Sequence, residues 1–243
     1  MSTATAEEIA RRYGLEPIPE NVMKLTKLVA EQNSDMDEIA KIIGADESLT
    51  NRLLRAANPR TDDPLDYGIT NVDDALMRTG MGCALLLAMG DPLLRALLKT
   101  FDTMMGVKLR AVPNAEVMPL TEEHVLGQVD FEGKAIGQVG LRLSSIAAKK
   151  AAAIISGLSV DDLTDDADVD DVIGELGNIV VGNFKSNLCD AGLQCKLGTP
   201  SIQRTDDFAL NCVSGGLAER NAFHSEQMTV FCDVSVNPWG DDL

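Results

Sequence analysis

The spacing of apolar positions divides the chain into two stretches with different periods. Over the first ninety residues the period is helical. Val22, Leu25, Leu28 and Val29 recur at three- and four-residue steps after breaks at Pro17 and Pro19, which predicts a first helix. Ser34 or Asp35 is placed to cap a second, with Ile39, Ile42 and Ile43 as its apolar stripe. Ser48 is placed to cap a third, which carries Leu49, Leu53, Leu54 and Ala57 inward and ends at Pro59. A loop through Asp62, Asp63, Pro64 and Gly68 follows, and Asp73 and Asp74 open a helical pattern running toward Leu87. Pro92 suits the first turn of a new helix over 93–105.

Beyond Gly106 the period shortens. Residues 107–112 alternate like a half-buried strand, and 125–131 and 135–143 flank Glu132-Gly133-Lys134 as a hairpin. Ser144 or Ser145 caps an alanine-rich helix over 146–156 that ends at Gly157. A second long helix is predicted over 169–191, ending at Gly192, with further strands at 193–197, 208–213 and 227–236. The pattern is α+β: a small all-helical N-terminal module, residues 1–90, followed by a domain, 91–243, with an antiparallel sheet and two long helices.

Charge narrows the partners. The 243 residues hold 21 basic and 38 acidic side chains, a net charge of −17. Such a surface repels phosphate backbones and anionic headgroups, so neither nucleic acid nor membrane is an expected partner. No stretch supplies the roughly 18–20 apolar residues a bilayer span needs, and residues 1–32 lack a signal-peptide core. Cys83, Cys189, Cys195, Cys212 and Cys232 are odd in number, scattered and free of any CxxC, which reads as buried thiols in a reducing cytoplasm.

The remaining candidates for chemistry are few. His124 and His224 are isolated, which favours surface or interface positions over catalysis. Met77, Met81, Met89, Met104, Met105 and Met118 suit adaptable packing between helices. The seven aspartates between 161 and 171 lack the Asp-x-Asp-x-Asp-Gly order of a calcium loop and read as the solvated acidic start of a helix. No metal site and no cofactor of the chain's own is expected.

One segment stands apart. In Glu175-Leu176-Gly177-Asn178 a carboxylate and a carboxamide lie three residues apart, so a helix holds them about 60° apart on one face. Ile173, Leu176, Ile179 and Val180 fall on other faces and can anchor that helix, while Gly174 and Gly177 leave room for close approach. The pair alone says little. With 14 Glu and 12 Asn in the chain, chance supplies about 0.7 such spacings.

Context raises the signal. Asp171 four residues before the Glu, then Gly182-Asn183-Phe184-Lys185-Ser186, and Pro200 beyond the helix, together resemble the CheC/CheX family of phosphatases. A single Glu-x-x-Asn resembles CheX rather than the two-site CheC, and the resemblance runs from about Pro92 to the end. Upstream, Pro17-Ile18-Pro19, Asp46-Glu47-Ser48-Leu49, Leu53-Leu54-Arg55-Ala56-Ala57-Asn58 and Gly68-Ile69-Thr70-Asn71-Val72 are similar to the opening helices of an HDOD domain, here shortened. That family is a non-catalytic relative of the HD phosphohydrolases, and this region has no histidine.

The resemblance implies a phosphoaspartate phosphatase acting on a CheY-like receiver domain in two-component or chemotaxis signalling. Asn178 would hold the attacking water, Glu175 would pair with the receiver lysine, and the receiver would bring its own Mg2+. It also implies a homodimer through edge strands, with the apolar segment 228–234 as the candidate edge. The alternative from another class is a non-catalytic adaptor whose two modules bind signalling partners.

Overall fold

The computed structural model describes residues 20–29, 35–58, 68–133, 136–190, 194–214 and 216–237. Pro17, Pro19, Ser34, Pro59, the loop aspartates 62 and 63, Pro64 and Gly192 lie outside them. The chain divides into two compact units, Met1–Arg95 and Ala96–Leu243.

In the first unit, α1 (Glu20–Val29), α2 (Met36–Gly44) and α3 (Glu47–Ala57) follow the predicted stripes. Leu25, Ile39, Ile43 and Leu53 are fully buried. Asp35 caps α2 by accepting the Asp37 N–H. The cap of α3 is Asp46 rather than Ser48: its carboxylate accepts the N–H groups of Ser48 and Leu49 at 2.9 and 3.1 Å, which leaves Ser48 inside the first turn. The Asn58 side chain then clasps the returning chain, donating to the Ile69 carbonyl at 2.7 Å and accepting the Ile69 N–H at 2.6 Å.

The stretch α4 (Val72–Met105), two helical segments joined at a kink, departs from expectation. Its one non-helical residue is Gly80, at φ 67° and ψ −167°, whereas Pro92 lies within the helix instead of starting a new one. Pro92 removes the N–H that would bond the Ala88 carbonyl. The buried Thr26 hydroxyl, which donates to the Val22 carbonyl at 2.7 Å, lies 3.4 Å from the Ala88 carbonyl. The unit boundary at Arg95 and Ala96 falls inside this helix.

The second unit is an antiparallel seven-stranded sheet carrying two long helices. Its strands are β1 (Arg110–Val112), β2 (His124–Gly133), β3 (Ile136–Ser144), β4 (Cys195–Leu197), β5 (Ser201–Thr205), β6 (Leu217–His224) and β7 (Thr229–Asn237). The order is β1-β6-β7-β3-β2-β4, with β5 also pairing β2. The predicted hairpin forms between β2 and β3, in register from His124 opposite Ser144 to Phe131 opposite Gly137. Alternation on β2 sends Val125, Val129 and Phe131 to the helical side and His124, Leu126 and Gln128 to the other.

Two strand expectations fail. Residues 208–213 form no strand; the missed strands are β5 and β6. Segment 228–234 is not an edge, because β7 pairs with β3 on one side and β6 on the other. Its largely apolar character reflects burial on both faces: Val230, Val234 and Val236 are at 0% exposure on the helical side, and Phe231 and Ser235 at 2% and 1% on the other. The ground given for edge-strand dimerisation is therefore absent from this strand.

The helices are α5 (Ser145–Ser156) and α6 (Asp166–Asp190). Ser144 caps α5 and Gly157, at φ 72°, ends it in the left-handed conformation. Ala147, Ala148, Ala151 and Ala152 are buried, and these short side chains let α5 lie close to α6.

Candidate functional site

Helix α6 is fixed by a stripe at four- and three-residue steps. Val169, Ile173, Leu176, Val180 and Phe184 are at most 1% exposed, and Phe184 packs edge-on to Phe131 of β2. Each such side chain contributes roughly 1.5–3 kcal/mol by leaving water. At the helix start, Arg204 of β5 donates to Asp170 at 2.8 Å and lies 3.3 Å from Asp166. Farther along, Asn183 donates to the buried Thr100 hydroxyl at 3.2 Å. Packing, an ion pair and a polar tie thus set the rotation of one rigid helix.

That rotation places the predicted pair outward. Glu175 is exposed and Asn178 half-buried, and neither side chain has a hydrogen-bond or ion-pair partner among the described residues. Asp171, one turn before Glu175, is also exposed. Leu176 and Val180 are buried as expected and Ile179 is half-buried. The two glycines beside the pair behave differently from the sequence reading. A Cβ on Gly174 would meet Ile202 at 3.5 Å, and one on Gly177 would meet Val129 at 3.8 Å, so both point at the sheet and open no space on the polar face.

The pair sits on a convex helix surface. A cleft of about 530 Å³ lies elsewhere in this unit, lined among others by Val112, Leu120, Ile146, Met228 and Phe231, and neither Glu175 nor Asn178 lines it. A carboxylate and an amide on the outer side of a helix, away from that cleft, suit insertion into another protein's site better than capture of a small molecule.

The sheet's other face carries a polar cluster that sequence reasoning missed. Arg142, 1% exposed, donates to Asp233 at 2.8 Å, to the Asp207 carbonyl at 3.0 Å and to the Ala209 carbonyl at 2.9 Å. Arg220 grips the same carboxylate with two bonds of 2.6 Å, donates to the Phe208 carbonyl at 2.7 Å, and lies 3.9 Å over the Phe208 ring. Two guanidiniums thereby hold three successive carbonyls, which is why 207–209 cannot join the ladder as a strand. His124 belongs here and is fully buried, not at a surface or interface. A guanidinium only donates, so His124 Nε2 accepts from Arg142 at 3.0 Å and Nδ1–H donates to the Glu122 carbonyl at 3.1 Å. Every polar atom is used internally, which leaves nothing to bind a substrate.

Other candidates resolve plainly. Cys83 and Cys232 are buried, but Cys212 is exposed and Cys195 half-buried, so not all thiols are core residues. Burial, with Asp233 and Glu219 nearby, pushes the Cys232 thiol far up from its ordinary range and keeps it inert. His224 meets the Thr229 hydroxyl at 2.9 Å. Met89 is buried while Met77, Met104 and Met118 are exposed, so packing accounts only for the first of these. Among the described residues no cluster of three or more His, Cys, Asp or Glu side chains could hold a metal, and no helix is long and apolar enough to cross a membrane.

The sheet with two helices on one face, the motif helix among them, is the CheX-like fold. Residues 125–221 match the family model described as chemotaxis phosphatase CheX, and residues 15–113 match that of the HDOD domain. Among solved structures, CheX from Vibrio vulnificus is 20% identical with a TM-score of 0.52, over 61% of this chain and 96% of its own. A CheC-like superfamily protein from Shewanella sp. PV-4 is 22% identical with a TM-score of 0.54, over 61% and 97%. A complex of CheX with CheY, BeF3 and Mg2+ from Borrelia burgdorferi contains a chain 17% identical, with a TM-score of 0.50, over 61% and 97%. No curated protein matches the chain.

Proposed function

We propose that the second unit hydrolyses the aspartyl phosphate of a CheY-like receiver domain, with Asn178 and Glu175 as its working residues. The observation that carries the reading is that this pair lies on the outer side of a helix anchored by a buried stripe, with no partner among the described residues. The match of 125–221 to the CheX family model and the CheX–CheY complex among similar structures support the same class of partner.

The chemistry asks little of this chain. Water attacks the phosphorus while the bond from phosphorus to the receiver's aspartyl oxygen breaks, releasing inorganic phosphate and a free carboxylate. The water proton passes to phosphate or solvent. The receiver's Mg2+ and lysine neutralise charge on the moving phosphoryl group, so what remains to supply is positioning. The Asn178 amide oxygen would accept a hydrogen bond from the attacking water and hold it in line. Glu175, 4.5 Å back along the axis at about 1.5 Å rise per residue, would pair with the receiver lysine and set the register. The first unit, whose 15–113 match is to HDOD, acts in this reading as a docking or input module without catalysis.

Asn178→Ala should bind phosphorylated receiver as wild type does yet lower the dephosphorylation rate by about 10²–10³-fold, as loss of one preorganised polar group does. Glu175→Gln should weaken binding and rate together and make both less sensitive to salt. Neither should lower the thermal midpoint. If the wild-type chain binds a phosphorylated receiver and leaves its decay unchanged, the adaptor reading replaces this one.

A further inference from the structure

Three glycines interrupt α6 over the motif region, and the third differs from the other two in where it points. Gly174 and Gly177 face the sheet. Gly182 is half-buried, and apart from the helix's own backbone no described atom lies within 4 Å of where its Cβ would stand. It is not among the glycines with positive φ. Among the described residues neither packing nor backbone conformation requires glycine there. Glycine is the poorest helix former after proline, and alanine would fit the space.

Its position supplies the reason. Residues 175, 178 and 182 are three and four apart, so Gly182 follows Asn178 by one turn on the solvent-facing stripe. We propose that Gly182 is the close-approach point of the receiver on α6: the missing side chain lets the receiver's own backbone come against the helix beside Asn178. The inference rests on the receiver-phosphatase reading and specifies how the partner seats. A flat spot one turn beyond the amide lets the helix sink far enough for Asn178 to reach a water at the phosphoryl group. A methyl group there holds the two surfaces apart, which lengthens every contact made by Asn178 and Glu175.

The prediction has opposite signs for stability and function. Gly182→Ala in the full chain should raise the thermal midpoint by about 2–4 °C through helix propensity. The same variant should raise the half-saturating concentration of a phosphorylated CheY-like receiver at least tenfold, and Gly182→Leu should abolish binding. Gly174→Ala, with comparable propensity gain but aimed at Ile202, should leave receiver binding unchanged. Binding is measured to the beryllofluoride-treated receiver and turnover to the acetyl-phosphate-treated one. If wild type binds without catalysing, the phosphatase reading fails and the binding arm still decides Gly182. Gly182→Ala that binds and turns over as wild type does overturns the inference while leaving the phosphatase reading intact. Wild type that binds no such receiver overturns both.

Discussion

The two polar regions of the second unit are built on opposite terms. On α6, Glu175 is exposed and Asn178 half-buried, and neither has a partner among the described residues, so a change there breaks no bond of the described fold. On the other sheet face, Arg142, Arg220, Asp233 and His124 are drawn into the interior and bonded to one another and to the 207–209 carbonyls. A buried charge is tolerable only when its partners are in place, because desolvation costs several kcal/mol per ion. A polar group that waits for a partner must stay wet, and one that holds the chain together must be dry and satisfied. Exposure together with an empty bonding list therefore separates site from scaffold, and residue type alone does not.

The sharpest way to break this contrast is to remove the shared carboxylate. Asp233 accepts from both guanidiniums, so Asp233→Ala leaves the buried Arg142 and the half-buried Arg220 without their counter-ion and should cost about 3–5 kcal/mol. At a few degrees per kcal/mol for a chain of this size, the thermal midpoint falls by roughly 10 °C, and hydrogen exchange over 206–214 should accelerate. The converse variant, Asn178→Ala, should melt with wild type. Were Asp233→Ala to melt within a degree or two of wild type, the cluster would be ornament and the distinction between the two regions would collapse.

The same contrast explains what was legible in the sequence. The motif helix was visible because its signals are local: apolar residues at helical steps and two polar residues three apart. The Ser144 cap and the Gly157 stop of α5 were equally local. The buried cluster joins residues 91 apart in sequence, and nothing near Arg142 announces Asp233. Strand β6 was missed for a related reason: Glu219, Arg220 and Asn221 sit at its centre, and Arg220 is in the sheet only because Asp233 receives it. Residues 208–213 have the composition of a strand, yet the Phe208 and Ala209 carbonyls at their start are taken by Arg142 and Arg220. The apolar run of β7 signalled burial on two faces, which sequence cannot tell from an edge awaiting a partner.

A smaller effect tests whether the helical side of β7, across the sheet from the cluster, is as dry as the geometry indicates. Cys232, next to Asp233, is fully buried with its thiol pushed far up from the ordinary range, desolvation being the first cause. The sign follows from proton counting. The unfolded chain releases this proton near pH 8.5 while the native state keeps it, so the contribution is present below that pH and lost as pH rises. At pH 9 the loss is about 0.8 kcal/mol. Wild type should therefore lose more stability between pH 8 and 9 than Cys232→Ala does, and Cys232 should resist alkylation at pH 9 until the protein is unfolded. Equal slopes, or labelling of the native thiol, would show that water reaches this strand.

The smallest effect belongs to the contact between the two regimes. Arg204 ties the start of α6 to β5, but its side chain is 19% exposed, Asp170 28% and Asp166 57%, so water screens the pair. Asp170 raises the Arg204 proton affinity further, but a guanidinium is charged at any working pH, so this adds no pH dependence. Arg204→Met keeps the aliphatic contact and removes the charge, and should cost about 0.3–1 kcal/mol at low salt. That difference should shrink toward zero as ionic strength approaches about 1 M, where the screening length is near 3 Å, whereas the deficit of Asp233→Ala should persist because its pair is sheltered from ions. Two melting series in rising salt make the comparison. If the Arg204→Met deficit stays constant across the series, the pair is effectively buried, and the start of the motif helix belongs with the scaffold rather than with the solvated face that carries Glu175 and Asn178.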